Sequence, residues 1–200
     1  LDIIEVKQMQ RYLSSSVYID WHTAEIQSVA QMLANRAGSE SELVRLSFEF
    51  VRDEIRHSSD FKLNPVTCKA SDVLLHKTGY CYAKSHLLAA LLRANGVPTG
   101  LCYQRLSVGN GGAPYCLHGL NAVYLKEIGW YRIDARGNKA GVDAQFRPPQ
   151  EALAFPIRDP KERDLPEIWD EPLPVVVEAL ARYATYDQVL ANLPDIELIG

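Results

Sequence analysis

The sequence predicts an α+β fold on three observations. Two amphipathic helical stretches come first, a third apolar helix opens directly behind a glycine turn, and that helix runs into a series of strand-like segments. The 200 residues suffice for one sizeable core and leave little room for a second, so a single domain over 1–200 is expected. Hydrophobic residues make up 47% and charged residues 23%, the balance of a globular protein. A net charge of −4 offers no basic surface to phosphates, which argues against nucleic-acid partners. No apolar run approaches the roughly 18–20 residues of a bilayer span, so no membrane partner is expected. Residues 1–5 lack the basic-then-apolar pattern of a signal peptide. Four cysteines (Cys68, Cys81, Cys102 and Cys116) are too few to staple a chain of this length, and we expect reduced thiols in a cytoplasmic protein.

The first helix is expected over 20–37, with Asp20 as cap and Ile26, Val29, Ala30 and Leu33 on one face. Ser39 and Glu42 have capping-box spacing ahead of the second, in which Val44, Phe48, Val51 and Ile55 recur at helical intervals and Leu43, Leu46 and Phe50 widen the stripe. Asn64-Pro65 marks a loop, and residues 72–75 suggest a short helical turn leading to Gly79. From Cys81 to Asn95 the apolar face is Leu87, Leu88, Leu91 and Leu92; Asn95-Gly96 ends the helix and Pro98 bars its return. Residues 99–106 read as a strand and 107–114, with Gly109, Gly111 and Gly112, as a mobile loop near His118. Strands at 115–125 and 129–134 flank a tight connection at 126–128. Residues 135–174, rich in Pro, Arg, Asp and Glu, are expected as an extended wrap, and 174–187 as a last helix.

Three side chains carry candidate chemistry. Cys81 follows Gly79-Tyr80 at a helix start, where unpaired N–H groups and the positive end of the helix dipole favour a thiolate. His118 and Asp134 lie on the two hairpin strands with their midpoint on Lys126, inside the turn, so they should be near neighbours within a one-residue shift. A carboxylate beside the imidazole holds the ring and stabilises its protonated form. Cys, His and Asp are thus a candidate nucleophile, base and orienter. Only packing of the Cys81 helix against the sheet can bring the sulfur to the pair.

The ordered segments Gly79-Tyr80-Cys81, Leu91-Leu92-Arg93-Ala94-Asn95-Gly96-Val97-Pro98, His118-Gly119-Leu120-Asn121-Ala122-Val123-Tyr124 and Trp130-Tyr131-Arg132-Ile133-Asp134 resemble the transglutaminase-like superfamily. The resemblance covers about 40–140, and residues 136–146 resemble a bacterial branch. It implies a papain-like α+β core over about 40–140, with the nucleophile helix packed on an antiparallel sheet, and leaves the wrap and helix read from composition to cover 141–200. It also implies a catalytic triad carried onto Cys81, His118 and Asp134, and acyl-transfer chemistry on a peptide, protein or small amide with no metal or organic cofactor. Two positions depart from the family pattern: Leu120 stands where a Trp is usual after the histidine, and no upstream oxyanion donor can be placed, Trp21 and Gln104 both being conceivable.

Three functions stay open at this point. They are a cysteine peptidase or amidase, a catalytically inactive binding module of the same fold, and a protein-glutamine gamma-glutamyltransferase that cross-links proteins. The small lone domain and the lack of a dense acidic loop for calcium favour the first over the third. Asp134 is also a candidate turn cap before Gly137-Asn138, His86 a structural neighbour of Cys81, and Arg132 and Arg136 tuners of Asp134, binders of an acidic substrate group or plain surface residues. Cys81, Cys102, Cys116 and His118 lack the paired spacing of a zinc site, and the glycine-rich loop lacks the Lys-Ser/Thr of a phosphate loop.

Overall fold

A computed structural model describes residues 9–109 and 111–196. The signal-peptide reading of residues 1–5 and the Asn110 tip of the glycine-rich loop lie outside the described residues. In chain order the helices are α1 (Ala24–Arg36), α2 (Glu40–Glu49), α3 (Ser58–Phe61), α4 (Ala70–His76), α5 (Cys81–Ala94), α6 (Pro174–Arg182) and α7 (Tyr186–Leu190). The strands are β1 (Arg56–His57), β2 (Thr78–Gly79), β3 (Thr99–Ser107), β4 (Tyr115–Leu125), β5 (Gly129–Ile133), β6 (Gln145–Arg147), β7 (Gln150–Ala152) and β8 (Arg163–Asp164). Strands β5-β4-β3-β8 form one antiparallel sheet, while β1-β2 and β6-β7 are two-stranded pairs.

Two expected caps differ from their sequence pattern. Asp20 does not cap α1, whose N-cap is Thr23; its carboxylate instead accepts from the Ser71 N–H at 3.0 Å and from the Ser71 hydroxyl, at the first turn of α4. Ser39 does accept from the Glu42 N–H at 3.2 Å, but Glu42 reaches back to Gly38 rather than to Ser39. After Glu49 the chain loosens into a wider π-type turn over Phe50–Glu54, which keeps Val51 buried and brings Ile55 into the core.

Helix α5 is the axis of the molecule. One apolar face was expected, yet every residue from Cys81 to Arg93 is buried, as befits a helix packed on all sides. It lies against α1, α2 and α4 on one side and β3 and β4 on the other. The polar side chains caught in this position bond backbone carbonyls, although His86 Nε2 has no partner among the described residues. Arg93 bonds the carbonyls of Thr99, Ser14 and Asp170, and His86 Nδ1 meets Cys68 O at 2.7 Å, which makes its role structural. The helix ends on Gly96 at φ +74, with Val97 N–H bonded to Leu92 O at 3.0 Å, a glycine-dependent C-terminal motif.

Lys84 is fully buried on α5 and has no bonded carboxylate among the described residues. Its ammonium bonds three carbonyls, Ile55 O at 2.5 Å, Arg136 O at 2.8 Å and Arg52 O at 3.3 Å, tying the end of the π turn to the segment after β5. Burial, aided by the positive charge of Arg136, pushes its pKa down to about 7. In the unfolded chain a lysine titrates near 10.4, so between these values the unfolded state binds more protons and stability rises with pH. The penalty is complete below about 7 and gone above about 10. Urea unfolding across that window is therefore expected to show wild type gaining stability relative to Lys84→Met as pH rises; a difference that stays constant with pH excludes the effect.

The segment after β5 is not without structure. It forms the β6-β7 hairpin, adds β8 to the edge of β3, and bonds Leu101 to Trp169 in both directions. The expected last helix is two helices, α6 and α7, divided at residues 183–185. No helix among the described residues is long and apolar enough to cross a membrane.

Candidate active site

The nucleophile candidate sits where the sequence put it. The chain enters α5 through β2, with Tyr80 at the N-cap position and Cys81 as the first helical residue. Gly79 fits because a Cβ there meets Ala83 Cβ and Thr67 Oγ1 at 3.2 Å. The first-turn N–H groups of a helix have no partners inside it, and that of Cys81 bonds no other group among the described residues. From the sheet side, Gly119 donates its N–H to Cys81 Sγ at 3.4 Å. That approach also depends on glycine: a Cβ at 119 stands only 3.0 Å from Tyr82 Cα. Both the helix start and this amide stabilise negative charge on the sulfur.

His118 and Asp134 meet, in a register different from the expected one. Strand β4 pairs Asn121 with Ile133 and Leu125 with Gly129, so the hairpin centre is Glu127, not Lys126. The loop has three residues and closes on Gly129 at φ +84, which moves the centre by one position. Extended past the end of β5, this register sets Leu120 opposite Asp134 and leaves His118 two residues away on the same face, a diagonal pair. His118 Nε2 is 2.8 Å from Asp134 Oδ2. The Asp134 side chain is fully buried and also accepts backbone N–H bonds from Arg136 at 3.1 Å and Ala154 at 3.0 Å. Burial works against its charge, but His118 and these amides hold the carboxyl below its usual range. Burial likewise opposes a charged His118; the charges of Asp134 and Cys81 outweigh it and raise the ring to about 10. With Nε2 on the carboxylate, Nδ1 is the nitrogen left for the thiol.

Cys81 and His118 open onto a cavity of about 730 Å³ that His57, Val108, Phe155 and Arg158 also border, with Asp134 buried behind them. The loop after β3 supplies one wall through Ser107–Gly109 and Gly111, as expected. The C-terminal wrap does not fill the cavity. It builds another wall and shields the ion pair: Phe155 stands edge-on to His118 with centroids 5.0 Å apart, and Ala154 bonds the carboxylate.

Other expectations need correction. Neither conceivable oxyanion donor faces the sulfur: Trp21 Nε1 donates to Leu13 O and Gln104 Nε2 to Phe155 O and Asp164. Arg132 does not tune Asp134, since it is engaged by Glu151 and Asp164. Arg136 forms a bidentate pair with Asp60 at 2.6 and 3.0 Å, and Lys139 joins them at 2.7 Å. Burial resists charge on Asp60, yet these cations hold its carboxyl well below the usual range. His57, Asp60, Lys84 and Phe155 were not singled out from sequence. Lys84 carried one legible signal, a charge in the first turn of a helix rich in leucine and alanine; Phe155 carried none.

A sequence family described as the transglutaminase-like superfamily matches residues 27–135. No curated protein matches the chain. Among solved structures, a candidate cysteine protease from Cytophaga hutchinsonii superimposes with a TM-score of 0.52 at 20% identity, covering 68% of this chain and 43% of that one. The periplasmic domain of TgpA from Pseudomonas aeruginosa gives a TM-score of 0.50 at 19% identity, covering 68% and 48%. The chain thus spans less than half the length of either structure, and at these identities the likeness is one of fold.

Proposed function

Because this chain belongs to the transglutaminase-like superfamily, we propose that it is a cysteine-dependent acyl-transfer enzyme that hydrolyses an amide or peptide bond. The observation that carries the reading is the buried 2.8 Å bond from Asp134 to His118, whose ring lines the cavity that Cys81 enters from a helix start. In the reaction, Cys81 Sγ adds to the carbonyl carbon and the electron pair moves to the oxygen, which the Cys81 N–H receives. The pair then returns, the C–N bond breaks, and the amine leaves with the proton from His118 Nδ1. Water attacks the thioester, gives its proton to His118, and frees the acid and the thiolate. Asp134 orients the ring throughout and stabilises its charged form. We assign the cavity to a peptide, a protein segment or a small amide as substrate. Four unpaired cysteines fit the reducing cytoplasm in which we place the protein.

Selective alkylation tests the activated thiol. Burial pushes Cys68, Cys102 and Cys116 up to about 12, whereas Cys81 has the imidazolium and two sets of N–H groups beside it. Iodoacetamide at mildly acidic pH is expected to label Cys81 first, read by peptide mass mapping. Slow, equal labelling of all four favours a binding module instead. Incubation with glutamine peptides and a labelled primary amine separates the remaining readings: hydrolysis releases free acid, and amine incorporation assigns cross-linking.

A further inference from the structure

One further ring borders the cavity. His57 ends β1 and lies opposite Gly79 in the parallel pair, two residues ahead of Cys81. Its ring is edge-on to Tyr80 with centroids 5.4 Å apart, and it lines the same cavity as Cys81 and His118. Its Nδ1 lies 3.1 Å from Ser59 Oγ. Asp60, 3.9 Å from the same nitrogen, is beyond hydrogen-bond range, and its oxygens are engaged by Arg136 and Lys139. If the Ser59 hydroxyl donates to Nδ1, the ring proton resides on Nε2, which has no hydrogen-bond partner among the described residues.

We propose that His57 donates this Nε2–H to the substrate carbonyl oxygen as Cys81 adds to the carbon, forming with the Cys81 backbone N–H a two-armed oxyanion site. The inference rests on the acyl-transfer reading and supplies the side-chain donor that Trp21 and Gln104 do not. A neutral ring suits the task. Burial, reinforced by Arg136 and opposed only in part by Asp60, lowers the pKa of His57 well below that of a free histidine. His118 is shifted the other way. Two histidines on one cavity with opposed shifts divide the work: His118 exchanges the proton with the reacting groups, and His57 stays uncharged and donates a fixed hydrogen bond.

Two reactions of the same sulfur separate this role from a structural one. Acylation by p-nitrophenyl acetate passes through a tetrahedral oxyanion; alkylation by iodoacetamide does not. His57→Ala is expected to slow acylation of Cys81 by ~100-fold, the usual effect of losing one oxyanion donor, and to change the alkylation rate less than about threefold. His57→Gln, which keeps an N–H donor, is expected to recover part of the acylation rate. Equal losses in both reactions assign His57 to positioning the thiol and overturn the proposal, as does an acylation rate within threefold of wild type. A wild-type protein that alkylates at Cys81 but is not acylated there removes the acyl-transfer reading itself, and the proposal with it.

Discussion

Replacing Cys81 with alanine is expected to lower kcat/KM for amide hydrolysis by at least ~10⁴-fold, the scale on which other catalytic triads lose activity when the nucleophile is removed. The fold is expected to survive. Cys81 is small, and its Sγ accepts one long bond from Gly119, so the loss in stability is about 1 kcal/mol, at the low end for buried substitutions. Serine at this position is no rescue. The hydroxyl is far harder to ionise than a thiol, so serine presents the carbonyl with a much weaker nucleophile. The measurement is turnover of a peptide-amide panel by wild type and both variants, with melting curves alongside. An alanine variant that turns over substrate within tenfold of wild type removes Cys81 from the chemistry and, with it, the thioester.

The parts of this site that sequence conveyed are those that depend on neighbours in the chain. Gly79-Tyr80-Cys81 is a local signal, since the glycine turn and the helix start are both written within three residues. The hairpin that joins His118 to Asp134 is nearly as local, and only the exact loop length, set by Gly129 in the left-handed region, displaced the register. What sequence did not convey depends on distant segments. Lys84 matters because residues 52, 55 and 136 all turn carbonyls toward it. Phe155 and Ala154 shield the ion pair from a stretch with no periodicity to read. His57 reaches the cavity through a two-residue parallel pairing too short to leave a pattern. Helix α5 misled in a different way. Its leucines suggested one apolar face, but the lysine, histidine and arginine on its remaining surface are buried too and bond backbone carbonyls.

Asp134→Asn is the second substitution with a large expected effect, a fall in kcat of about 10⁴-fold by analogy with the same change in a serine-protease triad. Asp134 has two oxygens and three donors to serve: His118 and Ala154 share Oδ2, and Arg136 uses Oδ1. An asparagine has one acceptor oxygen, so either orientation sets its NH₂ against a backbone N–H. If the NH₂ turns to His118, Nε2 must accept, the ring proton moves to Nδ1, and the imidazole can no longer take a proton on the side that faces Cys81. If the oxygen turns to His118 the tautomer is kept, but the full negative charge that raised the ring is gone. Burial is the largest influence on His118 and acts to lower it, and Asp134 is the largest influence that raises it, so without Asp134 the ring is expected to titrate well below its wild-type value. NMR titration of the His118 ring reads that shift directly. Stability follows the same sign. In wild type the raised His118 contributes fully below about pH 6.5 and loses its contribution as pH rises through about 10. The lowered Asp134 contributes above its unfolded value and loses its contribution as pH falls through its folded one. The asparagine variant is expected to lose both limbs, and unchanged His118 titration in that variant overturns the assignment of Asp134 as the residue that sets the charge of the base.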